Sequence, residues 1–286
     1  MTRSRLLPLR PTCAFAALLA AAGPANAAPS PLPAPLPAPE PSYADLATLA
    51  DGAPLAVRVK VTRQAAVAAD RAPGLAAGHA RLYVEARTLA LLSGRAALPE
   101  ALRYLVDVPL DAKGKPPRLR KQEFVLFARP VPGRPGELQL MGPRAQLAHT
   151  PALEARLRPI LAAFLAPGSP PRITGVRDVL SSTGNLAGES ETQIFLATAS
   201  GEPAALTVVR RPGMTPRWGV SWTELVDQAA RPAAPDTLAW FRLACALPRS
   251  LPPAANFAAD VADRERAAAD YRFVIEQLGP CTRNLG

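Results

Sequence analysis

His79, in an Ala-Ala-Gly-His loop, and His149, just ahead of Thr150, are the only imidazoles in this chain of 286 residues. A Ser-His-Asp hydrolase needs one of them as its base, but no Gly-x-Ser-x-Gly turn accompanies either, and neither stands in a His-Glu-x-x-His metal pattern. Glu189 and Glu191 flank Ser190 after the stretch GNLAG, and paired carboxylates of this kind can cleave glycosidic bonds or bind a cation. Glycoside chemistry needs one acid sheltered in a cleft, whereas this spacing in a glycine-bounded segment reads as a solvated loop. Ser181 and Ser182 lack the lysine three residues on that acylating enzymes of the penicillin-binding type carry. The expectation is a chain with no catalytic residue, no metal site and no cofactor.

Binding chemistry is better represented. The run KGKPPRLRK holds Lys113, Lys115, Arg118, Arg120 and Lys121, five cations in nine residues and three of the four lysines in the chain. Such a run can clamp an anionic polymer, or it can be a turn between strands kept soluble by charge. Arg210, Arg211 and Arg217 stand near Trp218 and Trp222, a pairing of cations with indoles that stacks on sugars or bases. Tryptophans alternating in a strand also suit a core between a sheet and helices, so both readings of this cluster stay open.

The N-terminus bears on which polymer is in reach. Arg3, Arg5 and Arg10 precede the apolar run CAFAALLAAA, and Ala25-Asn26-Ala27 supplies a small-residue cleavage pattern, so residues 1–27 are expected to be a secretory signal peptide. The apolar run is about half as long as the roughly 20 residues that span a bilayer. Cys13 opens that run instead of following it, against lipidation, and Ser4 separates Arg3 from Arg5, against a twin-arginine signal. Removing the three arginines of the signal lowers the formal charge from +10 to +7 and leaves Cys245 and Cys281 as the only cysteines. An even number in an oxidising compartment predicts one disulfide between them, the alternative being two buried thiols.

Residues 28–42, APSPLPAPLPAPEPS, alternate proline and are expected to form an extended polyproline-like linker. The folded part opens with Ser42 and Asp45 at a helix start and Asp51-Gly52 at its end. Leu55, Val57, Val59 and Val61 then alternate with polar or small residues, the period of a half-buried strand. Further strands are expected over 81–92, 102–110 and 123–129, with a turn-rich run over 130–136 leading to a fifth at 138–140. Five short strands suggest a small antiparallel sheet or a partly open barrel of the oligonucleotide/oligosaccharide-binding type. Thr150-Pro151 opens a helix carrying Leu153, Leu157, Ile160, Leu161 and Phe164 on one face, with Pro159 expected to kink or split it. The run APGSPP at 166–171 is the expected boundary between a β-rich domain, 43–168, and a second α+β domain, 169–286. Strands at 172–180, 192–198, 204–210 and around Trp218, Val220 and Trp222 precede three helices there. Ser221 and Glu224 have capping-box spacing for the first helix, Asp236 caps the second, and Asp260 precedes the third, which ends at Leu278 before Gly279-Pro280.

The segments YLVDVPLD at 104–111, VLFARPVPGRPGELQL at 125–140, GNLAGESETQIF at 184–195 and DTLAW at 236–240 resemble a family of uncharacterised exported bacterial proteins. The resemblance covers nearly all of the chain beyond the signal and implies no function. The sequence therefore predicts an α+β protein of two sheet-and-helix domains, the second closed by a disulfide, soluble in the periplasm or secreted, with no membrane span after signal cleavage. Its expected role is non-catalytic binding or scaffolding in the envelope, with an anionic polymer or another protein as partner and no nucleic acid. The competing expectation is a hydrolase of envelope material using His149 or the Glu189/Glu191 pair.

Overall fold

Ser42 and Asp45 satisfy each other's backbone donors in a complete capping box, and the helix they start, α1, runs Tyr43–Gly52. The structure is a computed structural model that describes residues 40–223 and 231–285. The expected signal peptide, most of the expected proline linker and the helix expected from the Ser221/Glu224 spacing lie outside the described residues.

After α1 come β1 (Leu55–Ala66), β2 (His79–Ser93), β3 (Ala101–Pro109), β4 (Glu123–Pro130), β5 (Glu137–Leu140) and β6 (Gln146–Ala148). Strands β1 to β5 close on themselves in the order β1-β2-β3-β5-β4-β1, with every pairing antiparallel except β3–β5. The result is the five-stranded barrel that the short alternating strands suggested. Its interior is filled by the inward set of the alternation, among them Leu55, Val57, Val59, Val61, Val84, Leu102, Tyr104 and Leu126. Gly136, at φ 78°, lets the chain meet β3 where the parallel pairing begins: its carbonyl accepts from Arg103 N. A Cβ there would lie 3.0 Å from the Ala101 carbonyl oxygen.

Strand β4 is buried on both faces. Phe124, Leu126 and Ala128 point into the barrel, while Val125 and Phe127 enter a second core with Ala56 of β1. That second core takes in α1 and α2 (Pro151–Leu165) and, beyond the turn at 166–171, a four-stranded antiparallel sheet. The sheet has the order β10-β9-β8-β7, built from β7 (Ile173–Thr183), β8 (Ser190–Thr198), β9 (Ala205–Arg210) and β10 (Arg217–Ser221). Helices α3 (Leu238–Ala244) and α4 (Val261–Leu278) complete it. Both halves of the chain thus contribute to one core, and Asp51 of α1 joins them further by ion pairs to Arg172 and to the buried Arg242.

Two local expectations are corrected. Helix α2 is not split at Pro159 but runs unbroken from Pro151 to Leu165, with Pro159 exposed and off the buried face of Leu153, Leu157, Ile160 and Leu161. Helix α3 is capped by Thr237, whose hydroxyl accepts from Trp240 N at 3.2 Å, and not by Asp236, which takes a φ of 55°.

The Cys245–Cys281 disulfide is present, with a Cα separation of 5.1 Å. Just past it the chain returns to α1, where the backbone N–H groups of Asn284 and Leu285 donate to the Asp45 carboxylate. Burial pushes the Asp45 carboxyl up, but the hydrogen bonds from Asn284, Ser42 and Leu285 together hold it below the usual range. Asp107 is lowered by its bonds from Arg81, and Glu154 by Arg158 and His149. Carboxyls lowered in the folded state contribute stability that is present above their unfolded pKa of about 4 and is lost as pH falls through the folded values. Urea midpoints are therefore expected to be flat near neutrality and to decline below about pH 4. Asp107→Asn should shallow that decline, and an unchanged slope in this variant would remove Asp107 from the account.

Candidate functional site

The run from Lys113 to Lys121 forms the connection between β3 and β4, and its backbone is held. The Asp111 carboxylate accepts from the N–H groups of Lys113 and Lys115, both at 2.8 Å. The amide of Gln64 on β1 accepts from Leu119 N at 2.6 Å and donates to the Pro117 carbonyl at 2.9 Å. Leu119 is buried in the barrel core. Around this anchor Lys113, Lys115, Arg118, Arg120 and Lys121 are all exposed, and none of them has a carboxylate within 4.0 Å among the described residues. The loop is a fixed platform for cations that have no internal partner.

The second cluster divides. Arg210, partly exposed, pairs with the fully buried Asp270 of α4 at 2.5 Å, Trp218 is a core residue, and Trp222 is half-buried against the same core. Both indoles pack on the core, Trp222 keeping part of its surface open. Arg211 and Arg217 instead line a cavity of about 870 Å³ together with Glu189, Glu191, Ser182, Thr207 and Arg231. Glu189 and Glu191 are half-buried on that cavity's wall, where a solvated loop was expected. Pairing across β7, β8, β9 and β10 sets Ser182, Glu191, Val209 and Arg217 in one row on one face.

Neither histidine lines this cavity. The His149 Nε2 lies 2.8 Å from Glu154 Oε2 and 3.4 Å from Arg58, in a cluster that ties the first turn of α2 to β1. His79 starts β2, with Nδ1 3.0 Å from the Ala77 carbonyl. Ser181 is buried and shares a hydrogen bond with Thr192. Among the described residues no group of three or more His, Cys, Asp or Glu side chains gathers as a metal ion would require.

One surface escaped the sequence reading. Over β3, β5 and the 131–136 turn lies a groove of about 590 Å³, where Tyr83 and Leu105 are 36% and 49% exposed beside Arg103 and an Arg81–Asp107 fork. The signal for it was Leu105, an apolar residue at an outward position between Arg103 and Asp107.

No protein-family model matches the chain, and no curated protein matches it. Among the described residues no helix is long and apolar enough to cross a membrane.

Proposed function

We propose that this is an exported, non-catalytic binding protein of the cell envelope, periplasmic or secreted, that docks on an anionic polymer through the β3–β4 loop. The observation that supports it is the set of five exposed cations on a clamped backbone. A loop whose cations are all solvated has little internal electrostatic reason to hold them together, whereas a polyanion draws on all five at once. The disulfide is compatible with an extracytoplasmic site.

The test is retention on a heparin or polygalacturonate resin. The triple charge reversal Lys113→Glu, Lys115→Glu and Arg120→Glu is expected to elute at clearly lower salt than a control reversing the exposed Arg87, Arg95 and Arg272. Exposed substitutions of this kind change stability by only about 0.5 kcal/mol. Equal elution of the two variants would assign retention to overall charge and end the loop proposal.

The competing hydrolase reading is favoured by one observation, that Glu189 and Glu191 line a cavity with hydroxyl groups. Turnover of envelope glycan or peptide by the wild type, lost in Glu191→Gln, would place it ahead of binding.

A further inference from the structure

The cavity on the second sheet is lined by both signs of charge. Arg211, Arg217 and Arg231 line it together with Glu189 and Glu191, and none of the three has a carboxylate within 4.0 Å among the described residues. Glu191 and Arg217 occupy the same row on β8 and β10 with Val209 between them. Two strand spacings put their backbones about 10 Å apart. Each glutamate uses only part of its capacity: Glu191 Oε1 accepts from Gln193 at 2.9 Å, and Glu189 Oε2 accepts weakly from Leu186 N at 3.4 Å. In the adjoining row, the Thr207 hydroxyl is buried with no hydrogen-bond partner although its residue lines the cavity. Val209, Met214 and Phe273 supply an apolar wall.

A pure polyanion would meet Glu189 and Glu191, and a pure cation would meet three guanidiniums. Among the described residues three cations stand against two carboxylates, which an amphoteric ligand with one net negative charge complements. The backbone spacing of about 10 Å between the Glu191 and Arg217 positions is the span of three extended residues at 3.3–3.6 Å each. From these we infer that the cavity binds a short acidic peptide with a free amino end. The ammonium lies at Glu191 and the carboxylates lie on Arg217 with Arg231. The volume of about 870 Å³ is within the usual range for small-ligand sites.

Calorimetric titration with Ala-Ala-Asp, which carries one ammonium and two carboxylates, tests this on the whole disulfide-bonded protein. Saturable binding is expected, with N-acetylation weakening it at least about tenfold, the size of one lost charge-assisted contact. Glu191→Gln should erase the difference between the free and acetylated peptides, while Arg217→Gln should weaken both and preserve it. The comparison of peptides on the wild type needs no variant to fold. No saturation at about 10 mM, equal affinity for the acetylated peptide, or tighter binding of trigalacturonate than of the tripeptide would each overturn the inference.

Discussion

Asp270→Ala is expected to lower the unfolding free energy by about 3 kcal/mol, near the lower end of what breaking a buried ion pair does. Asp270 is fully buried on α4, where its carboxylate accepts from Thr192 Oγ1 of β8 and from Arg210 Nε at the end of β9, both at 2.5 Å. Thr192 is itself fully buried and shares a bond with Ser181 of β7, so one carboxylate fastens α4 to three neighbouring strands. Its removal leaves Arg210 able to hydrate, because that side chain is a third exposed, and this limits the loss. Arg210→Leu should be worse, about 4–5 kcal/mol, because the abandoned charge is then the one with no access to water. Replacing both residues with leucine should be less damaging than the sum of the two single changes. Urea unfolding of the three variants decides the matter, and a wild-type midpoint for Asp270→Ala would show that the network holds nothing together.

That network also shows where sequence reading stops. The alternation of Leu55, Val57, Val59 and Val61 is visible because each faces one apolar interior. Ala56, between them, looks like a solvent position and is buried, because the other face of β1 packs on the second core. Closure of the barrel depends on β3 and β5 pairing in parallel through Arg103–Glu137 and Tyr104–Leu138. Two residue pairs joining segments more than thirty positions apart leave no periodic trace. At α3 two adjacent residues offer a capping oxygen, and the choice of Thr237 over Asp236 is made by backbone geometry.

The site divides along the same line. The cations of the β3–β4 loop fall within nine residues, so local composition finds them, and the turn residues around them predict their exposure. Arg210 looks equivalent to Arg211 and Arg217 until Asp270, sixty positions later, claims it. The cavity draws Ser182, Glu191, Thr207 and Arg217 from four strands, and only register brings them to one place. Glu189 and Glu191 were legible as a pair, but their surroundings were not.

Removing the disulfide, by Cys245→Ser with Cys281→Ser, is expected to destabilise the protein by about 3–4 kcal/mol. That is the loop-closure value for the 36-residue separation it spans. In a folded body of this size, such a loss lowers the melting temperature by roughly 10 °C. The bridge joins the C-cap of α3 to the chain just past α4. Beyond it, Asn284 and Leu285 reach Asp45, the Asn284 amide donates to the Glu40 carbonyl, and Arg283 approaches Thr48. Without the bridge those contacts must be made by a segment no longer tied to α3, and the segment after Gly279 should open at lower cost than the body. Two readouts follow: a lower global melting temperature, and C-terminal trimming by carboxypeptidase under conditions where the oxidised protein is intact. Reduction of the wild type should reproduce both, since it removes the same constraint without changing a side chain. Coincident melting curves for oxidised and reduced protein would mean that the contacts of Trp240 with the Leu278 carbonyl and of Tyr271 with the Pro248 carbonyl hold the C-terminal helix by themselves.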